Sequence, residues 1–133
     1  MNISAPNIDS QASIELPDIP ILSVNVRQGA ILTTDGEIRV LNHDSTKKLI
    51  HQKPVMVCHA PYTTKILELE NLSAPYFDIL ELFAFVHPGK FCVPTPTGIC
   101  KALGIVPPDD FESTPMSMME CATALLSDLR SDI

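Results

Sequence analysis

Short runs in which apolar and polar residues alternate occupy the early part of the chain, and this pattern is typical of strands. Ile21–Val26 and Gly29–Thr33 are predicted to be the first two strands. Asp35 and Gly36 follow as a hairpin turn, because both residues tolerate positive φ. Glu37–Leu41 then returns as a third strand, so the chain is predicted to open with three antiparallel strands.

After the third strand, helical and strand-like spacings alternate. The predicted elements are a helix at Asn42–Gln52 with Asp44 or Ser45 as its cap, a strand at Val55–Cys58, a helix at Thr63–Glu70, a brief strand within Leu72–Phe77, a helix at Asp78–Val86, a short helix that ends at Gly104, and a last helix with Thr114 as its cap and Pro115 in its first turn. The last helix is predicted to bury the face formed by Met116, Met119, Ala122, Leu125 or Leu126, and Leu129. This order predicts an α/β domain with a mixed sheet flanked by helices.

One domain of residues 21–133, preceded by an extended arm of residues 1–20, is the predicted organisation. The arm is polar and contains three prolines, Pro6, Pro17 and Pro20. A length of 133 residues with 45% hydrophobic and 19% charged residues suits one domain with a hydrophobic core. No apolar run approaches the roughly 20 residues of a membrane span, and no basic and apolar leader opens the chain. We therefore expect a cytoplasmic protein that contacts no membrane.

A net charge of −7 argues against a protein that holds DNA mainly through its own electrostatic field. The charge is uneven, however, and basic residues outnumber acidic ones between Arg39 and Lys65. The candidate contacts for nucleic acid are Lys47, Lys48, Lys53 and Lys65. The alternative is that these lysines form an ordinary solvated helix surface.

The four cysteines, Cys58, Cys92, Cys100 and Cys121, show no paired spacing. Because structural zinc sites usually draw on C-x-x-C pairs, we expect buried and reduced thiols instead. A zinc site built from Cys58, His59 and a distant cysteine is the alternative.

The stretch from Cys58 to Pro88 carries the most specific motif. Cys58 to Pro61 reads Cys-His-Ala-Pro, and Phe77 to Pro88 reads Phe-Asp-Ile-Leu-Glu-Leu-Phe-Ala-Phe-Val-His-Pro. This run resembles the signature of the exonuclease-like N-terminal region of proteobacterial DinG-type ATP-dependent DNA helicases. The resemblance implies the RNase H-like fold of the DnaQ-like (DEDD) 3′–5′ exonucleases, and it covers about half of the chain well.

DEDD exonucleases cut phosphodiesters with two divalent metal ions held by four carboxylates. In an alignment with that family, the predicted first strand has no acid at the positions of the Asp-x-Glu motif. Thr64 occupies the position of the second motif's Asp, and Met119 occupies the position of the last Asp. Thr114 stands for the general base. Mg²⁺ and Mn²⁺ need oxygen anions, so these side chains cannot replace the carboxylates. We therefore predict no catalytic residue and no metal ligand in this chain.

Three residues of the family motif remain, and we expect them to be structural: His59, Asp78 and Glu81. Asp78 can accept the first free amides of the helix that follows, while Glu81 is spaced to reach back as in a capping box. The ring of His59 is expected to bond to a backbone group at the end of its strand.

The resemblance thus implies a non-catalytic module of a DNA helicase, acting in docking or in weak contact with single-stranded DNA. Its partners would be the motor domains of the same polypeptide. The chain has no G-x-x-x-x-G-K-[ST] motif, so ATP and Mg²⁺ are expected only for the motor. Two alternatives stay open, an active metal-dependent 3′–5′ exonuclease and a stand-alone protein-interaction domain.

Overall fold

A five-stranded mixed sheet forms the centre of the part of the chain that the computed structural model describes, residues 16–131. Its strands are β1 (Ile21–Val24), β2 (Gln28–Leu32), β3 (Ile38–Asn42), β4 (Val55–Val57) and β5 (Tyr76–Asp78). Their order across the sheet is β3-β2-β1-β4-β5. β1 and β3 each pair antiparallel with β2, whereas β4 runs parallel to both β1 and β5. The predicted α/β class and the three leading antiparallel strands are confirmed.

Side-chain and backbone hydrogen bonds set the turns between the first three strands. The Asn25 side chain accepts hydrogen bonds from the amides of Arg27 and Gln28, at 2.8 Å each, and β1 therefore ends earlier than predicted. Between β2 and β3, the amide of Gly36 donates to the carbonyl of Thr33 at 3.0 Å. Gly36 has a φ of +92°, which a glycine adopts without strain. The predicted hairpin is confirmed.

The described residues contain five helices: α1 (His43–Gln52), α2 (Ala60–Ile66), α3 (Ile79–Val86), α4 (Pro96–Leu103) and α5 (Thr114–Ser131). Successive strand residues point to opposite faces of the sheet, and each face has its own hydrophobic cluster. Leu22 and Ile31 belong to a cluster with residues of α1 and α2. Ile21 and Leu32 belong to a cluster with residues of α3, α4 and α5. The sheet therefore lies between two helical layers.

Two helices begin elsewhere than predicted. α1 is capped by Asn42, whose side chain accepts a hydrogen bond from the amide of Ser45 at 2.8 Å. Neither Asp44 nor Ser45 is the cap, because both already lie inside the helix. α2 spans Ala60–Ile66 instead of the predicted Thr63–Glu70. A carboxylate at the end of β5 fixes this earlier start, and local sequence does not reveal that contact.

The last helix buries only part of the predicted face. Ala122, Leu125 and Leu126 are buried as predicted, and Met118 and Cys121 are buried beside them. Met116 is 40% exposed, and Met119 and Leu129 are only partly buried. Thr114 is the first helical residue and not the cap before it. Apolar residues at neighbouring positions leave several faces open in the sequence, and packing against the sheet selects one of them.

Only the last part of the predicted N-terminal arm falls within the described residues, and residues 1–15 lie outside them. Leu16 and Ile19 are partly buried against the same cluster as Ile21. The carbonyl of Pro20 accepts a hydrogen bond from the amide of Met56 at 2.9 Å, which continues the pairing of β1 with β4. Across residues 16–131, no helix combines the length and apolar character that crossing a bilayer requires.

Candidate functional site

A cavity of about 290 Å³ opens at the carboxyl ends of β1 and β4. Its walls come from β1, from the residue that follows β4, from α2, from the segment 94–97 at the start of α4, and from the start of α5. In α/β proteins, ligands commonly bind outside the carboxyl ends of parallel strands. This cavity is therefore the candidate functional site.

Hydroxyl and apolar side chains line the cavity. The lining residues are Leu22, Ser23, Val24, Cys58, Tyr62, Thr63, Pro94, Thr95, Pro96, Thr97, Phe111 and Thr114. None of these residues is an acid, a histidine, a lysine or an arginine. The cavity therefore offers neutral hydrogen-bonding groups, but no anionic oxygen for a hard cation and no carboxylate or imidazole base.

Of the positions aligned with the nuclease motifs, Thr114 lines the cavity, whereas Thr64 and Met119 do not. Thr63 lines the cavity in place of Thr64. Thr63 is 3% exposed and Thr114 is 8% exposed, and both line the cavity. The hydroxyl of Thr64 instead donates to the carbonyl of Pro61 at 3.1 Å. Met119 packs at the margin of the hydrophobic cluster around α5. Because α2 starts earlier than predicted, the inward position on this helix moves to Thr63.

Asp78 holds together the backbone beside the cavity. One carboxylate oxygen accepts hydrogen bonds from the amides of His59 at 2.8 Å and Leu80 at 2.9 Å, and the other accepts from the amide of Ala60 at 2.8 Å. The parallel pairing of β4 with β5 sets Asp78 beside Val57 and so brings its side chain to the start of α2. Asp78 therefore caps α3, as predicted, and also fixes α2.

His59 and Glu81 play smaller parts than Asp78. His59 lies in the left-handed region, with a φ of +66°, and its amide donates a hydrogen bond to the carboxylate of Asp78. Within residues 16–131, the ring of His59 makes no hydrogen bond, so the predicted bond to a backbone group is not found. Glu81 lies exposed in the first turn of α3, and it makes no bond back to Asp78 in the same part of the chain.

All four cysteines are free, and Cys58, Cys100 and Cys121 are buried while Cys92 is half-buried. The sulfur atoms of Cys100 and Cys121 lie 3.5 Å apart. Burial, and to a smaller extent the negative charge of Asp78, raises the pKa of Cys58 to about 12. A thiol with so high a pKa stays protonated at neutral pH and is a poor nucleophile. The predicted burial is confirmed for three of the four residues.

The four candidate lysines do not all line one cleft. Lys47 and Lys48 line a cleft between α1 and the segment 69–73, and the Lys47 ammonium lies 4.0 Å from the carboxylate of Asp44. Lys53 lines a different cleft near the start of β1, and Lys65 lines neither of the two.

Among the described residues, no group of three or more His, Cys, Asp or Glu side chains is placed to hold a metal ion. The zinc alternative with Cys58 and His59 therefore has no ligand set in this part of the chain. Fold and site together define an α/β protein with a five-stranded mixed sheet and an uncharged cavity. Comparisons with protein-family models, with curated proteins and with solved structures found no match.

Proposed function

We propose that this chain is a non-catalytic module with the RNase H-like fold of the DEDD exonucleases, and that it forms the N-terminal part of a DinG-type ATP-dependent DNA helicase. Its role is to dock on the motor domains of the same polypeptide, with weak contact to single-stranded DNA. One observation carries the proposal. The resemblance implies a metal site at the carboxyl ends of β1 and β4, and the cavity at this position has no carboxylate among its lining residues.

The sheet supports the RNase H-like part of the proposal. Three leading antiparallel strands followed by two parallel strands, in the order β3-β2-β1-β4-β5, are the layout that the resemblance implies. The first strand, the helix after β4 and the last helix all reach the cavity. These are the three elements on which the exonuclease motifs lie.

The side chains of the cavity do not fit a two-metal site. Catalysis with two Mg²⁺ or Mn²⁺ ions depends on carboxylates that bridge and hold the ions. The cavity supplies the hydroxyls of Ser23, Thr63 and Thr114 instead. A neutral hydroxyl neither balances the charge of these ions nor abstracts a proton from water at neutral pH, so no hydrolytic step is assigned to this chain.

A nuclease assay tests the loss of catalysis. The purified protein is incubated with end-labelled single-stranded DNA and MnCl₂, with a chelator in a parallel reaction. We expect the DNA to keep its full length in both reactions. A Thr63→Lys variant, which puts an ammonium group into the cavity, is the matched control. Metal-dependent trimming that this variant abolishes would disprove the proposal, whereas trimming that it leaves unchanged identifies a contaminating nuclease.

The helicase part of the proposal is tested separately, in the gene. A Walker A motif in the reading frame downstream of Ile133 supports a helicase parent, because that motif binds the phosphates of ATP. A stop codon directly after Ile133 contradicts it and supports a stand-alone interaction protein.

A further inference from the structure

Large apolar side chains are exposed along the segment 85–106, which runs from the end of α3 through α4. Phe85 is 71% exposed and Phe91 is 83% exposed, the largest exposure of any large apolar residue in the described part of the chain. Val93 and Val106 are exposed in the same segment. Several exposed apolar groups in one short segment are more typical of an interaction surface than of an ordinary loop.

The same segment is free of acidic residues in an otherwise acidic protein. The chain has sixteen Asp and Glu residues, yet none lies between Leu82 and Pro108. Lys90 and Lys101 are both exposed there. Asp128 of α5 lies beside this segment, with its carboxylate 3.0 Å from the His87 ring nitrogen. Lys90 is exposed next to Phe91 in the chain and therefore offers a positive charge beside an exposed aromatic ring.

Backbone contacts hold the connection between α3 and α4 in one conformation. The amide of Lys90 donates to the carbonyl of His87 at 3.0 Å, and the amide of Thr95 donates to the carbonyl of Val93 at 2.8 Å. The Thr95 hydroxyl accepts from the amide of Gly98 at 2.9 Å and caps α4. A preorganised surface of this kind loses little conformational entropy when a ligand binds.

We propose that single-stranded DNA docks on the connection between α3 and α4, with a base stacked on Phe91 and a backbone phosphate at Lys90. This inference rests on the proposed function and names the surface that makes the DNA contact. Base stacking on exposed aromatic rings beside basic residues is the general mode of single-strand recognition without sequence preference. The sign of the local charge selects a polyanion as the occupant, and the clefts of Lys47, Lys48 and Lys53 lie elsewhere.

Fluorescence anisotropy with a labelled thymidine oligonucleotide at low salt tests this surface on the full chain. Truncating a residue that stacks on one base weakens binding about five- to a hundredfold, and we expect this loss for Phe91→Ala. For Lys90→Ala we expect a weaker complex whose salt dependence, the slope of log K against log salt concentration, is smaller by about 0.7. Both side chains are exposed, so the variants are expected to keep the circular dichroism spectrum of the native protein.

Two exposed residues outside the segment provide matched controls. Val26→Ala removes an exposed apolar side chain at the turn after β1, and Arg27→Ala removes an exposed positive charge at the same turn. Neither is expected to change the dissociation constant by more than about twofold. Absence of binding by the native protein, or an equal loss for Arg27→Ala and Lys90→Ala, would overturn the inference. Absence of binding removes the DNA contact from the proposed function, but it leaves the loss of catalysis standing, because the nuclease assay tests that part separately.

Discussion

Among substitutions of single polar residues, replacement of Asp78 is expected to lower the free energy of unfolding most. Its carboxylate accepts three backbone hydrogen bonds, from His59 and Ala60 at the start of α2 and from Leu80 at the start of α3. It thereby joins two helices that lie on opposite faces of the sheet. It also holds His59 in its left-handed conformation, which an L-residue adopts only at a cost.

The magnitude follows from these three bonds. Hydrogen bonds to an ionised group contribute about 1.5–3 kcal/mol each, and a buried amide that loses its acceptor adds a desolvation cost. The bonds share one carboxylate, and water can reach the partly buried amides of His59 and Leu80, so the sum is an upper bound. We expect Asp78→Ala to lower the free energy of unfolding by about 3–5 kcal/mol. This is a large part of the about 5–15 kcal/mol that stabilises a typical domain.

Urea unfolding followed by far-ultraviolet circular dichroism measures the effect. With a slope of about 1–3 kcal/mol per molar urea, the midpoint is expected to fall by roughly 2 M. Asp78→Asn keeps one acceptor oxygen but loses the charge, and it should fall between the native protein and Asp78→Ala. Glu81→Ala removes the same charge from a nearby exposed residue and should change the stability by less than about 0.5 kcal/mol.

Equal midpoints for Asp78→Ala and Glu81→Ala would refute this reasoning. A second measurement locates the effect along the chain. In Asp78→Ala, the amides of Ala60 and Leu80 are expected to exchange with deuterium faster than in the native protein, beyond the change in global stability. Unchanged relative protection at these two amides would show that the carboxylate does not hold the two helix starts.

Two further predictions concern packing. Gly98→Ala should destabilise the protein by about 2 kcal/mol or more, because the new methyl carbon would lie 2.1 Å from the carbonyl oxygen of Val93. Gly89→Ala is the control: it adds a methyl group in open space and should leave the urea midpoint nearly unchanged. Met118→Ala should lower the melting temperature by at least about 8 °C, since this side chain is fully buried. Met116 is 40% exposed, so Met116→Ala should change the melting temperature much less. A larger effect of Met116→Ala than of Met118→Ala would contradict the burial of Met118 in α5.

The order of the elements could be predicted from the sequence because each carries a local signal. Alternating apolar residues indicate the first three strands, and the turn residues between them indicate a hairpin. Gly104 after the end of α4 is a cap signal that the structure uses, with a φ of +74°. Local chemistry was sufficient at these points.

Contacts between distant residues set the features that could not be predicted. The start of α2 depends on Asp78, which is far from it in the chain and arrives through the pairing of β4 with β5. That shift in turn places Thr63, and not Thr64, at the cavity. The sequence predicts a strand at Val55–Cys58 and another within Leu72–Phe77. Parallel pairing of these two strands would have placed Asp78 beside the end of β4, and this was the signal available in the sequence.

The basic surface shows a second limit of sequence reasoning. Lys47 and Lys48 are neighbours of Lys53 in the chain, yet Lys53 lines a different cleft. Local charge counts do not report which side chains share a surface, because successive residues of a helix point in different directions. Exposure of Phe91 beside Lys90 is a property of the folded chain, and no sequence pattern marked it.

The most direct test of the central proposal is a crystal soaked in MnCl₂ and measured where manganese scatters anomalously. A retained exonuclease site would bind Mn²⁺ within about 3 Å of oxygen atoms at the carboxyl ends of β1 and β4. We predict no anomalous peak within that distance of Ser23, Thr63 or Thr114. A manganese ion coordinated by the residues of this cavity would contradict the proposal of a non-catalytic module.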